Sequence, residues 1–293
     1  MKNAFASRNI KPDIDCVSAK NKLECMSMVN DHLADLISVD PADAYRGSLY
    51  YNLKPLASED YGSYSLETNM PIYYAVAVVK KLDLSTNLWN LRNKRVCGTA
   101  IGEVAGWNAI VDYLIGIKEL FVTDCHITKV AGEYFGRGCL PGSQDYSYNT
   151  LKTNPRSLCL VCYSKGSDYC SRSHRELYYG DTGAFRCLNE GNGDVAFVRH
   201  TSVKPNSDGL NTDQWARSLR STDFELLCRD GRRKSIDKYK ECNLAKIPAR
   251  LIMISNHRSK QQKMYLWHML NYAQQLFGSD MLVYLIYSIL SRY

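Results

Sequence analysis

Apolar positions in this chain fall into short unbroken runs separated by polar, glycine-rich stretches, unlike the strict alternation of a half-exposed sheet. Residues 73–81 (YYAVAVVKK) form a β-branched, alanine-rich run of strand length between Pro71 and Asp83. Because the run is apolar on both faces, it predicts an interior strand covered on both sides. Residues 95–99 (RVCGT) predict another short strand, and 100–107 (AIGEVAGW) a turn opening a helix that continues through Ile110, Leu114 and Ile115. Strand, glycine-rich turn and helix in that order belong to a parallel α/β sheet.

Residues 138–170 break this pattern. They are rich in Gly, Ser, Tyr and Asn, contain Cys139, Cys159, Cys162 and Cys170, and show no period. They predict a long surface loop that disulfides hold in place. Beyond it, 178–188 (YYGDTGAFRCL) and 193–200 (GDVAFVRH) predict a helix and a strand, and 245–255 (AKIPARLIMIS) a buried strand. Residues 261–277 carry apolar Met264, Leu266, Trp267, Leu270, Ala273 and Leu276, close to a helical period. There is no internal repeat.

A chain of 293 residues can bury a large core and predicts two domains or lobes. Its 11 cysteines change the picture more than its 45% hydrophobic content does. Cys159 and Cys162 form a lone CxxC, with neither a second CxxC nor a His pair at zinc-finger spacing. A disulfide framework in an oxidising compartment is the favoured reading. The start, MKNAFASRNIKPDID, lacks the apolar core of a secretory signal, so the true N-terminus is expected upstream. Residues 281–290 (MLVYLIYSIL) are apolar but only half the ~20 residues that a membrane-spanning helix requires. A buried helix or non-native terminal sequence is the preferred reading, and a GPI-type lipid anchor has little support. The net charge of +7 is scattered, and its one cluster, 229–234 (RDGRRK), reads as a solvated turn and not a nucleic-acid surface.

Several segments together carry a resemblance: NLKPL (52–56), YYAVAVVKK, CGTAIGEVAGWN (97–108), GCLPGS, YYGDTGAFRCL, GDVAFVRH, FELLCRDGRRK and CNLAKIP. In this order, from Cys16 to Gly278, the chain resembles one lobe of a transferrin. LFGSD (276–280) is most similar to a C-terminal lobe, with serum-type, melanotransferrin and invertebrate forms all left open. The resemblance implies an α/β fold in which two subdomains flank a hinged cleft, similar to periplasmic binding proteins. Residues 1–72 with 248–293 would form an incomplete, discontinuous first subdomain and 73–247 the second. It also implies the bridges Cys97–Cys187, Cys139–Cys162, Cys159–Cys170 and Cys228–Cys242. Cys16, Cys25 and Cys125 would find partners only beyond the two ends, so the lobe is expected to be truncated at both, as a fragment or a faulty gene model.

In that family one Asp, two Tyr and one His hold Fe(III) together with a carbonate. Ferric ion is a hard cation suited to anionic oxygen donors, and the carbonate sits at a helix N-terminus beside a threonine and an arginine. Asp40 matches the aspartate ligand, though an Asp before Pro also reads as a helix cap. Tyr73 matches the first tyrosine, and its neighbour Tyr74 reads as a core aromatic. Thr99, Ala105 and Gly106 match the anion pocket, and equally a plain helix start. Three positions depart from the pattern. Glu103 stands at the arginine position, where a carboxylate repels carbonate by about 4 kcal/mol at roughly 4 Å and intermediate dielectric. Asp181 stands at the second tyrosine, and Arg250 at the histidine, where a guanidinium has no lone pair for a metal.

The resemblance therefore implies an extracellular, non-enzymatic iron-transport lobe with weak or lost Fe(III)–carbonate binding. Its partners would be a second transferrin lobe and a cell-surface receptor. A site altered toward Ca²⁺ or Mn²⁺, or a metal-free interaction module, stays open as the alternative. Arg250 is expected to pair with Asp181, Glu103 or Asp40, or to stand solvated. Arg199, which matches a family lysine, reads as a surface residue. His200 and His257 read as core or surface histidines, and no Ser/His/Asp or Cys/His arrangement supports an enzyme.

Overall fold

The computed structural model describes residues 2–122 and 126–277. In chain order the elements are α1 (Lys2–Ser7), α2 (Lys22–Asn30), β1 (Leu36–Val39), α3 (Pro41–Tyr50), β2 (Leu53–Ser58), β3 (Ile72–Lys80) and β4 (Arg95–Gly98). There follow α4 (Ala109–Gly116), α5 (Ile127–Phe135), β5 (Arg137–Cys139), α6 (Gly180–Asn189), β6 (Val195–Arg199), β7 (Phe224–Leu227), β8 (Arg233–Ser235), β9 (Ala245–Pro248), β10 (Leu251–Ser255) and α7 (Lys260–Phe277). The described chain forms two compact units, residues 2–72 with 248–277 and residues 73–247.

In the first unit β10 lies between β1 and β2, antiparallel to both. Alternation along the strands sorts the side chains between two helical layers. Met253 and Leu53 pack with Met26 and Val29 of α2 and Ala44 of α3. Ile252 and Ile254 turn the other way, toward Trp267 and Leu266 of α7.

The second unit is a mixed sheet in the order β5-β4-β6-β3-β7-β8, with β9 also paired to β3. β4 runs parallel to β5 and β6, whereas β3 runs antiparallel to β6 and β7. β3 is buried from Ile72 to Val79, as a run with no polar face requires. Phe135, Phe197 and Trp107 form one aromatic contact chain over the sheet, and Phe185 packs edge-on against Phe224. Four disulfides staple this unit: Cys97–Cys187, Cys139–Cys162, Cys159–Cys170 and Cys228–Cys242.

Two sequence expectations need correcting. The buried strand expected over 245–255 is two strands, β9 and β10, in different sheets. Pro248 has no N–H to continue a ladder, and the Ala249 N–H that follows turns to the Pro71 carbonyl at 2.9 Å. The long loop of 138–170 is held by more than its bridges. Buried Glu176 accepts the backbone N–H groups of Tyr163, Ser164, Cys170 and Tyr178 at 2.9–3.2 Å. Its carboxylate lies near Cys139 and Cys162, but their sulfurs are bonded to each other and offer no thiolate to a metal. Cys125 and residues 281–290 lie outside the described residues; Cys16 and Cys25 carry free thiols.

Candidate functional site

The turn after β4 is shaped by backbone. Thr99 is buried, and its Oγ1 has no hydrogen-bond partner among the described residues. Gly106 lies so close that a Cβ there would meet Thr99 Oγ1 at 1.9 Å and Thr99 N at 2.5 Å. Only a glycine allows that approach. Residues Val104–Asn108, Ala105 among them, form a wide π-helical turn leading into α4. The Glu103 carbonyl accepts from both Trp107 N–H and Asn108 N–H at 3.1 Å. N–H groups in the first turn of a helix lack intrahelical acceptors, so they suit an anion. Neighbouring segments clamp the turn: Gly180 N–H donates to Thr99 O at 2.9 Å, and Ile101 N–H to Pro141 O at 3.0 Å. Arg172, buried just beyond the disulfide loop, donates from Nε to Ile101 O at 3.0 Å. Glu103 is itself buried at the mouth of the turn, and its side chain does not cap the helix.

In the same unit the structure brings Tyr73, Asp181 and Arg199 together. Tyr73 is fully buried at the start of β3, and the Arg199 guanidinium lies over its ring at 5.9 Å. Arg199 ends β6 opposite Ala75, which aims its side chain at the first turn of α6. There Asp181 Oδ2 accepts from Arg199 Nε at 2.8 Å, while Oδ1 accepts from Arg199 N–H at 2.8 Å and Ser202 Oγ at 3.3 Å. Both carboxylate oxygens are occupied. The surface role expected of Arg199 is thus overturned: its side chain is 21% exposed and paired.

His200 follows directly. Its Nδ1 accepts from Tyr74 N–H at 3.2 Å, and its ring packs on Tyr74 and Tyr239. Burial pushes its pKa down to about 4, helped by the positive charges of Arg199 and Lys240, while Asp181 pulls the other way.

In the first unit Asp40 is the N-cap of α3, its Oδ1 accepting from Ala42 N–H at 3.1 Å. The cap reading is realised, and Asp40 is buried in that role. Arg250, between β9 and β10, donates from Nη2 to Ser38 O at 3.0 Å and from Nε to Ser38 Oγ at 3.3 Å. Its Nε lies 3.7 Å from Glu59 Oε1, which also accepts from Ser38 Oγ, while Tyr61 donates to Glu59 Oε2. Glu59 is therefore a counter-ion of Arg250, one that sequence alone did not suggest.

Arg172, Glu59 and the pairing role of Arg199 escaped sequence reasoning. For Arg199 a signal was present: an acid at 181 and an arginine at 199 are complementary departures from one family pattern. Nothing local marks Arg172 or Glu59.

A family model described as Transferrin matches residues 1–288. Transferrin of Blaberus discoidalis is 38% identical over 286 residues, covering 95% of this chain and 39% of that protein. Melanotransferrin of Homo sapiens is 38% identical over 280 residues, covering 94% and 36%. Otolith matrix protein 1 of Oncorhynchus mykiss is 30% identical over 276 residues, covering 93% and 73%. The chain spans well under half the length of the first two.

Proposed function

Because the chain belongs to the transferrin family of non-enzymatic binding proteins, we propose that it is a secreted lobe whose Fe(III)–carbonate binding is weak or lost. The Asp181–Arg199 pair carries this reading. A carboxylate that already accepts three hydrogen bonds and is neutralised by a guanidinium is a poor metal donor. Arg250 offers no lone pair at all, and it already has acceptors in Ser38 and Glu59.

Tyr73 and Asp40 are oxygen donors of the right hardness for ferric ion. The buried hydroxyl of Thr99, without a hydrogen-bond partner among the described residues, suits an anion, whereas the buried carboxylate of Glu103 opposes one. As a set, the residues present do not fit ferric ion with carbonate. Four disulfides support an extracellular setting. No helix among the described residues is long and apolar enough to cross a membrane. A second transferrin lobe and a cell-surface receptor are the partners this reading implies. A site altered toward Ca²⁺ or Mn²⁺ is the second reading, and the engagement of Asp181 by Arg199 speaks against it.

Visible spectroscopy tests the proposal. Adding Fe(III) and bicarbonate to the purified chain should give no phenolate-to-iron band, and calorimetry with Ca²⁺ should give no binding heat. A salmon colour developing at one iron per chain would sink it. The combined change Glu103→Arg, Asp181→Tyr and Arg250→His should produce that colour.

A further inference from the structure

Away from these residues, in the unit of 2–72 with 248–277, two exposed histidines from distant parts of the sequence meet. His32 follows α2 with a left-handed φ of 61°, and His257 follows β10. Their ring centroids are 6.4 Å apart and their planes are inclined at 67°. We propose that His32 and His257 form a solvent-facing site for a borderline divalent cation of the zinc type, with water completing its shell.

Two imidazoles bound to one zinc at about 2.0–2.1 Å in a tetrahedral arrangement place their centroids about 5 Å apart. His32 is exposed, which leaves its ring room to turn toward His257. His257 is already oriented: its Nε2 lies 2.7 Å from the Asn52 side-chain amide nitrogen. Asn52 is fixed in turn, with φ at 49°, its carbonyl accepting from Asn256 N–H at 3.0 Å and its Oδ1 from Asn256 Nδ2 at 3.3 Å. A ligating histidine normally has its second ring nitrogen held by such a partner, which sets the tautomer and aims the ring. With the side-chain amides of Asn52 and Asn256 both turned, Asn52 Oδ1 accepts the Nε2 proton of His257 and Asn52 Nδ2 donates to Asn256 Oδ1, which leaves Nδ1 of His257 to bind metal.

The surrounding charges favour a cation. Arg258, next to His257, is neutralised by Asp35 at 2.6 Å. Asp31, next to His32, brings a carboxylate whose contacts are with the neutral side chains of Ser27 and Asn30. Imidazole nitrogen selects Zn²⁺, Cu²⁺ or Ni²⁺ over the hard Ca²⁺ and Mg²⁺. The site shares no residue with Tyr73, Asp181 or the anion turn, so its fate is independent of the proposed loss of iron binding.

The test is calorimetric titration of the full chain with zinc chloride in iron-free, bicarbonate-free buffer. One zinc should bind, His32→Ala and His257→Ala should each weaken it tenfold or more, and His174→Ala should leave it unchanged. Independently of the variants' folding, substoichiometric Cu²⁺ should broaden the imidazole NMR signals of His32 and His257 in parallel. Unaltered zinc binding in both alanine variants, or broadening of the two rings at separate copper concentrations, overturns the site.

Discussion

The turn at 99–106, proposed above to suit an anion, and positions 181 and 250, proposed to have lost metal ligands, stand in contrast. In the turn the geometry belongs to the backbone: Gly106 presses on Thr99, and main-chain bonds from Gly180 and to Pro141 fix the approach. At 181 and 250 the geometry belongs to side chains, and those have acquired new partners in Arg199 and in Ser38 with Glu59. Backbone shape and side-chain chemistry are thus encoded by different atoms and can change separately. Backbone shape depends on close packing that few substitutions tolerate. Side-chain chemistry changes whenever a complementary charge lies within reach.

The contrast is broken most severely by Gly106→Ala. The added methyl would sit 1.9 Å from Thr99 Oγ1 and 2.5 Å from its backbone nitrogen, so trimming the threonine cannot make room. A loss of about 3 kcal/mol or more is expected, read as a fall in the urea midpoint. If the variant matched the parent protein, the turn would not be the rigid element argued above.

Acidification comes next. His200 stays neutral in the fold down to about pH 4, while an unfolded chain protonates it near 6.5. Between those values the unfolded state holds the extra proton, so stability rises with pH and is lost as pH falls from 6.5 toward 4. The full effect is about 3 kcal/mol, and it levels off below the folded pKa. His200→Gln should remove this slope from a pH series of unfolding midpoints. Asp181→Asn has a smaller expected effect, about 2 kcal/mol, since the pair it breaks is mostly but not wholly buried. It should also lower the His200 pKa further, because Asp181 is one of the groups supporting the charged ring. An unchanged His200 titration by NMR would show that Asp181 and His200 are not coupled.

The same division explains what the sequence discloses. The run at 73–81 declares β3 because a strand without a polar face must be covered on both sides, and the observed strand is Ile72–Lys80. The turn opening a helix after Thr99 is equally legible from its glycines. Its π-helical width is not, since a single five-residue turn leaves no periodic trace. Residues 245–255 read as one strand because their apolarity is continuous, and only the hydrogen bonds around Pro248 divide them. The site was legible as identities and not as pairings. That Arg250 lacks a lone pair follows from its name, but its acceptor Ser38 lies 212 residues away, beyond any local signal.

The gentlest substitution bears most directly on the anion turn. Thr99→Val keeps the shape that Gly106 packs against and removes a buried hydroxyl with no partner among the described residues. Deleting an unsatisfied polar group is neutral or slightly stabilising, so the expected change in thermal stability lies within about 1 kcal/mol. An anion bound at Thr99 Oγ1 would instead make the substitution destabilising in bicarbonate and neutral without it. A difference between the two buffers would show that the turn binds an anion despite Glu103, and would confine the proposed loss to positions 181 and 250.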